Sequence, residues 1–128
     1  DPEAQAVLPR LDTKKSSYLA IYNAIAANRL DTLDAIAWLP VCTAYVVLAS
    51  GGYPDAYTTG HPIQIDTDDT QLFYAGVALK DKQLVTSGGR VMGVLGTGPL
   101  LDSAVKQAYA RIPSIQFLGM RYRSDIGR

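Results

Sequence analysis

Residues 71–95 read QLFYAGVALKDKQLVTSGGRVMGVL, three apolar runs separated by two short gaps. The runs are Gln71 to Leu79, Gln83 to Thr86 and Arg90 to Leu95. Lys80-Asp81-Lys82 separates the first pair and Ser87-Gly88-Gly89 the second. Polar or glycine-bearing gaps of this length between β-branched and aromatic runs are hairpin connections, which predicts a β-meander. Upstream, Tyr45-Val46-Val47-Leu48-Ala49 is a continuous apolar run closed by Ser50-Gly51-Gly52-Tyr53-Pro54. That pattern is a buried strand running into a loop.

Helical signals flank these strands. Gly96, Gly98 and Pro99 precede a helix from about Leu100 to Arg111, with Leu101, Ala104, Val105 and Ala108 on one face. Phe117 and Tyr122 are the expected anchors of the tail. At the other end, Asp1-Pro2-Glu3 is a helix start: aspartate suits the N-cap, proline the first turn, and glutamate the positive end of the helix dipole. Pro9 limits that helix to two turns or so. Ser16 or Ser17 caps a second helix, in which Leu19, Tyr22, Ile25, Ala26 and Leu30 recur at helical spacing and are expected to form its buried face. The fold class is therefore α+β, an antiparallel sheet of about four strands with helices on one face. Residues 1–43 form a helical lead-in and residues 44–128 the α+β domain proper.

The bulk composition narrows the function classes. Twelve basic and twelve acidic side chains cancel in 128 residues, so no global field draws the chain to nucleic acid or a membrane surface. No apolar stretch approaches the ~20 residues that span a bilayer. The single cysteine, Cys42, excludes an internal disulfide, suits a reducing cytoplasm, and is expected to be an inert core thiol. The chain opens on Asp1, already inside a patterned segment, which is the expectation for a piece of a longer protein.

Few residues can carry chemistry. His61 is the only histidine and sits in a Gly-His-Pro turn, so no imidazole-based metal site or nucleophile–base pair is expected. Asp66, Asp68 and Asp69 lack a cation-loop spacing and read as solvated loop charges. No phosphate loop ending in Gly-Lys-Ser/Thr is present. What remains is glycine: Ser50-Gly51-Gly52-Tyr53-Pro54, Ser87-Gly88-Gly89-Arg90 and Asp125-Ile126-Gly127. Paired glycines let a backbone approach another group closely, and an arginine just after them offers a planar fork to an anion. On residue chemistry alone the first two loops are either plain turns or anion cradles.

The order of these pieces resembles one family. Asp1-Pro2-Glu3-Ala4-Gln5 matches the end of the Arg-Phe-Gly-Asp-Pro-Glu-x-Gln signature of the phosphoribosylamine–glycine ligases. Val47 to Pro54 is similar to their Val-x-Ala-Ser-x-Gly-Tyr-Pro, and Phe73-Tyr74-Ala75-Gly76 to their Phe-His-Ala-Gly, with Tyr74 in place of a common histidine. Val85 to Val94 resembles their Val-Thr-x-Gly-Gly-Arg-Val-Leu-x-Val, and Gly119 to Gly127 their closing Gly-x-x-Tyr-Arg-x-Asp-Ile-Gly.

The resemblance implies a C-terminal portion of an ATP-grasp enzyme that uses ATP and Mg²⁺ to join glycine to phosphoribosylamine in purine synthesis, through an acyl phosphate. The N-terminal and ATP-grasp domains of the same parent chain, with the Mg²⁺ ligands, would lie upstream. It further implies that Arg90 and the Ser87, Gly88 and Gly89 backbone hold the ribose 5-phosphate. Ser50, Gly51 and Gly52 would line the pocket, and Asp1 and Glu3 would lie at the catalytic edge, Asp1 orienting the substrate amine. The alternatives are a packing module of another ATP-grasp enzyme and a phosphosugar-binding module.

Overall fold

The burial of Cys42–Ala49 alternates along its length, and that of Arg90–Gly98 scarcely does. In the computed structural model, which describes residues 1–67 and 71–127, these two segments pair at the centre of the domain. The strands are β1 (Cys42–Ala49), β2 (Gln64–Ile65), β3 (Leu72–Tyr74), β4 (Val77–Lys80), β5 (Gln83–Thr86), β6 (Arg90–Gly98) and β7 (Ile115–Gln116). The helices are α1 (Pro2–Val7), α2 (Tyr18–Ala26) and α3 (Leu101–Arg111). All strand pairing is antiparallel, as expected for α+β.

The single four-stranded meander is corrected, among the described residues, to three sheets, ordered β1-β6-β3, β2-β7 and β4-β5. The cause is Gly76, which divides the run from Gln71 to Leu79. Its amide donates to the Arg90 carbonyl, and a Cβ there would lie 2.7 Å from that oxygen and 2.8 Å from Gly88 Cα. Backbone crosses backbone at this point, so the strand cannot continue flat. β3 stays beside β6, while β4 turns away and pairs with β5. Asp81 and Lys82 both take positive φ, 49° and 65°, the geometry of a two-residue hairpin turn that matches the twist of its strands.

Helices cover both faces of the main sheet, not one. Ala44, Val46 and Leu48 of β1 point toward α3; a Cβ on Gly96, the partner of Ala44, would strike the α3 backbone at Ala104 and Ala108. Thr43 and Tyr45 point the other way, by the period of two along a strand. They hold α1: Thr43 Oγ1 donates to the Ala6 carbonyl at 2.6 Å and Tyr45 Oη to Gln5 Oε1 at 2.5 Å. The apolar runs of β1 and β6 are thus covered from two sides, which is why they read as near-continuous. Val46, Leu48, Met92, Val94, Ala104 and Ile115 are the centre of the core.

The lead-in follows its start signals but not its expected face. Ser17 is the N-cap of α2 and accepts from the Ala20 amide. Ile21 and Ala24 are the buried residues of α2, whereas Leu19, Tyr22, Ile25, Ala26 and Leu30 are exposed. Helical spacing identifies an apolar side but not what covers it. Here the helix rests its narrow Ile21 side on the lead-in, where Leu11 is buried and paired with Trp38, and Tyr18 Oη donates to the Leu8 carbonyl. Phe117 is buried, and Tyr122 is half exposed with its ring 6.3 Å from that of Tyr109. Asp68 and Asp69 lie outside the described residues.

Gly96→Ala should press a methyl group into the backbone of α3. The expected cost is about 1–3 kcal/mol, the usual penalty of overpacking, read as a lower urea midpoint. An unchanged midpoint would contradict the close seat of α3 on β6.

Candidate functional site

Three glycine-dependent contacts fix the entrance to β6. Ser50 is buried; its amide donates to the Gly89 carbonyl at 2.8 Å and its hydroxyl to the Gly88 carbonyl at 2.9 Å. The two paired-glycine loops are therefore bolted to each other. Gly89 has no space for a Cβ, because the Tyr53 ring lies directly against it. Gly51 packs on Gly119, where a Cβ would meet the Gly119 carbonyl at 2.8 Å. Ala49 and Arg121 exchange two backbone hydrogen bonds beside that contact. Ser87 is exposed, its amide bonded to the Gly76 carbonyl. Gly52 takes a positive φ of 94° in the turn before the Tyr53-Pro54 bond, which is cis.

Arg90 emerges from this frame at the first position of β6 and faces a cavity of about 450 Å³. Asp1, Gln5, Tyr45, Tyr53, Tyr74 and Gly89 share its lining. Of the residues singled out in the sequence, the cavity brings together Asp1, Gly89 and Arg90. Glu3 stands exposed on α1, and Ser50, Gly51, Gly52, Ser87 and Gly88 form the frame rather than the lining. Gln5, Tyr45, Tyr53 and Tyr74 were missed. A usable signal for Tyr45 was Gly93, a bare position inside a strand, which marks a close approach. A Cβ on Gly93 would collide with the Tyr45 phenol ring.

The electrostatics are those of unspent charge. Arg90 makes no side-chain hydrogen bond or ion pair among the described residues, and its guanidinium is exposed to the cavity. Asp1 occupies the N-cap of α1, yet its carboxylate accepts no cap hydrogen bond. Between them Tyr45 is half buried, and burial pushes its phenol up to about 12, against the opposing pull of the Arg90 charge. The phenol therefore stays protonated and donates. Among the described residues no three His, Cys, Asp or Glu side chains come together as a metal site. A single carboxylate beside an arginine does not fit Mg²⁺, which asks for oxygen ligands in an octahedron. No helix of the described residues is long and apolar enough to cross a membrane.

The sequence profile of the phosphoribosylglycinamide synthetase C domain matches residues 43–128. The chain belongs to this family. It is 40% identical to the phosphoribosylamine–glycine ligase of Synechocystis over 99% of its own length and 30% of that protein. The corresponding ligase of Pseudomonas aeruginosa is 42% identical over the same shares. A bifunctional purine biosynthetic protein of Schizosaccharomyces pombe is 40% identical over 98% of this chain and 16% of its own length. The crystal structure of the phosphoribosylamine–glycine ligase of Thermotoga maritima superposes with a TM-score of 0.69 at 31% identity, over 90% of this chain and 29% of that one. The chain thus spans about 30% of the length of the monofunctional relatives it matches.

A phenol raised from 10.0 to about 12 stabilises the fold below pH 10 and loses that contribution as the pH climbs through 12, because the unfolded chain ionises first. The absorbance titration of the protein minus that of Tyr45→Phe should isolate this late phenol. In Arg90→Ala it should titrate higher still, since the charge that opposes burial is gone. A Tyr45 titrating at the ordinary value would contradict its buried, bonded placement.

Proposed function

We propose that this chain is the C-terminal domain of a phosphoribosylamine–glycine ligase, and that the cavity at the start of β6 is the part of the active site that takes 5-phosphoribosylamine. The observation that carries this reading is Arg90, a guanidinium with no internal partner among the described residues, held at the mouth of a cavity by a frame of crossing glycine backbones. A planar fork in that setting suits a phosphate monoester, which accepts two parallel hydrogen bonds. The place of Arg90 in the cavity wall, more than its lack of a partner, sets it apart from Arg10 and Arg29.

In the proposed reaction, glycine is activated by ATP as an acyl phosphate, with release of ADP. The amine of phosphoribosylamine then attacks the acyl carbon, and phosphate departs to leave glycinamide ribonucleotide. ATP and Mg²⁺ supply the activation, and their ligands belong to the N-terminal and ATP-grasp domains of the parent chain. The residues of this domain bind and orient. Arg90 and the Gly89 backbone hold the 5-phosphate, while the Asp1 carboxylate accepts a hydrogen bond from the substrate amine and aims its lone pair. Glu3 lies on the same short helix, at the edge shared with the metal-binding side. Ser50, Gly51, Gly52, Ser87 and Gly88 keep the two loops in register.

Residues 1–43 serve as the lead-in from the ATP-grasp body and residues 44–128 as the substrate-side domain. The exposed apolar side of α2, with Leu19, Tyr22, Ile25 and Leu30, suits burial against that body. A cytoplasmic setting agrees with a lone, unpaired Cys42. The domain by itself is expected to be inactive.

In the full-length ligase, Arg90→Ala should weaken phosphoribosylamine binding by about 2–3 kcal/mol, the worth of a charge-assisted phosphate contact. The Michaelis constant for ATP should not move. An unchanged Michaelis constant for phosphoribosylamine would overturn the assignment.

A further inference from the structure

A phosphate monoester presents three peripheral oxygens, and a guanidinium fork engages two of them. The third calls for another donor, and a second cation would compete with the nearby Asp1. Gln5 supplies a neutral one. It lies one helical turn after Asp1, so both side chains emerge on the same face of α1 and both line the cavity. Its amide has two ends. Oε1 accepts from the Tyr45 hydroxyl, and Nε2 has no partner among the described residues. A carboxamide held by its oxygen must offer its NH₂ group.

We propose that Gln5 is a binding residue for the substrate phosphate and that Tyr45 is the positioning residue that sets its amide, so that Gln5 Nε2 and the Arg90 guanidinium grip one anion together. The inference rests on the reading of this cavity as the phosphoribosylamine site. Tyr45 is the common neighbour of the pair: it bonds Gln5, and the Arg90 charge acts on its phenol. Its ring lies against the bare backbone of Gly93 and beside Phe73, with centroids 5.8 Å apart, so the hydroxyl has little freedom. Thr43 clamps the same turn of α1 through the Ala6 carbonyl, so the helix does not depend on Tyr45 alone. The substrate then lies with its amine toward Asp1 and its phosphate toward Gln5 and Arg90, the ribose spanning about one helical turn, roughly 6 Å.

The test uses the full-length ligase with two readouts, the Michaelis constant for phosphoribosylamine and the inhibition constant of ribose 5-phosphate as a competitive probe. Gln5→Ala should raise both by about ten- to hundredfold, the worth of one hydrogen bond to an anion, with little change in kcat or in the Michaelis constant for ATP. Tyr45→Phe, which keeps the ring, should do the same, and the double variant should be no worse than Gln5→Ala alone, because Tyr45 acts through Gln5. Gln5→Glu keeps the bond from Tyr45 but turns a carboxylate toward the phosphate, and should bind the probe more weakly than Gln5→Ala. Additive losses in the double variant would show that Tyr45 acts independently and would overturn its positioning role. Constants unmoved in Gln5→Ala but raised in Arg90→Ala would overturn the Gln5 assignment and leave the phosphate reading standing. Constants unmoved in all of these variants would defeat that reading itself.

Discussion

Because β6 is covered on both faces and paired along both edges, almost every feature of the domain is referred to it. β1 supplies one edge partner and β3 the other. Leu48, Val46 and Ala44 join it in closing one face under α3, and Tyr45 and Thr43 close the opposite face under α1. A central strand of this kind cannot shift register by one residue without turning its whole apolar set the wrong way. Its first residue, Arg90, is thereby fixed in space by the burial of the six that follow. The cavity inherits its geometry from the core.

The same strand explains why the site is built from glycine. Where the chain enters β6, four segments converge: the loop after β1, the break between β3 and β4, the turn after β5, and the C-terminal tail at Gly119 and Arg121. Backbones can meet this closely only where side chains are missing, and Gly51, Gly76 and Gly88 provide the gaps, while Gly89 makes room for the Tyr53 ring. Ser50 then fastens the junction with two hydrogen bonds, one from its backbone and one from its hydroxyl. A buried hydroxyl satisfied in this way is a structural bolt, and it leaves the charged fork of Arg90 as the group available to a ligand.

Local signals carried the parts of the fold that local physics decides. The Asp1-Pro2-Glu3 start, the Ser17 cap, the strand from Tyr45 to Ala49 and the Asp81-Lys82 turn are all set by neighbours in sequence. The failures share a cause of the opposite kind. The division at Gly76 depends on Arg90 and Gly88, and the bare side of α2 depends on what, if anything, lies against it. In the candidate site, Asp1, Gly89 and Arg90 were legible through their motifs. Tyr45 and Gln5 were not, because the hydrogen bond that joins them spans 40 residues. No window along the chain contains both, and only the packing of α1 against β1 brings them together.

The close seat of the Tyr45 ring on Gly93 binds two positions into one unit of inheritance. A side chain at Gly93 would displace the ring, and a smaller residue at Tyr45 would leave a slot that only a substituent at 93 could fill. Either change alone damages packing; the two together exchange one shape for another. Drift at these sites must therefore pass through a less fit intermediate or proceed as a coupled step. The pair is an epistatic lock, set in the sheet at the wall of the cavity itself.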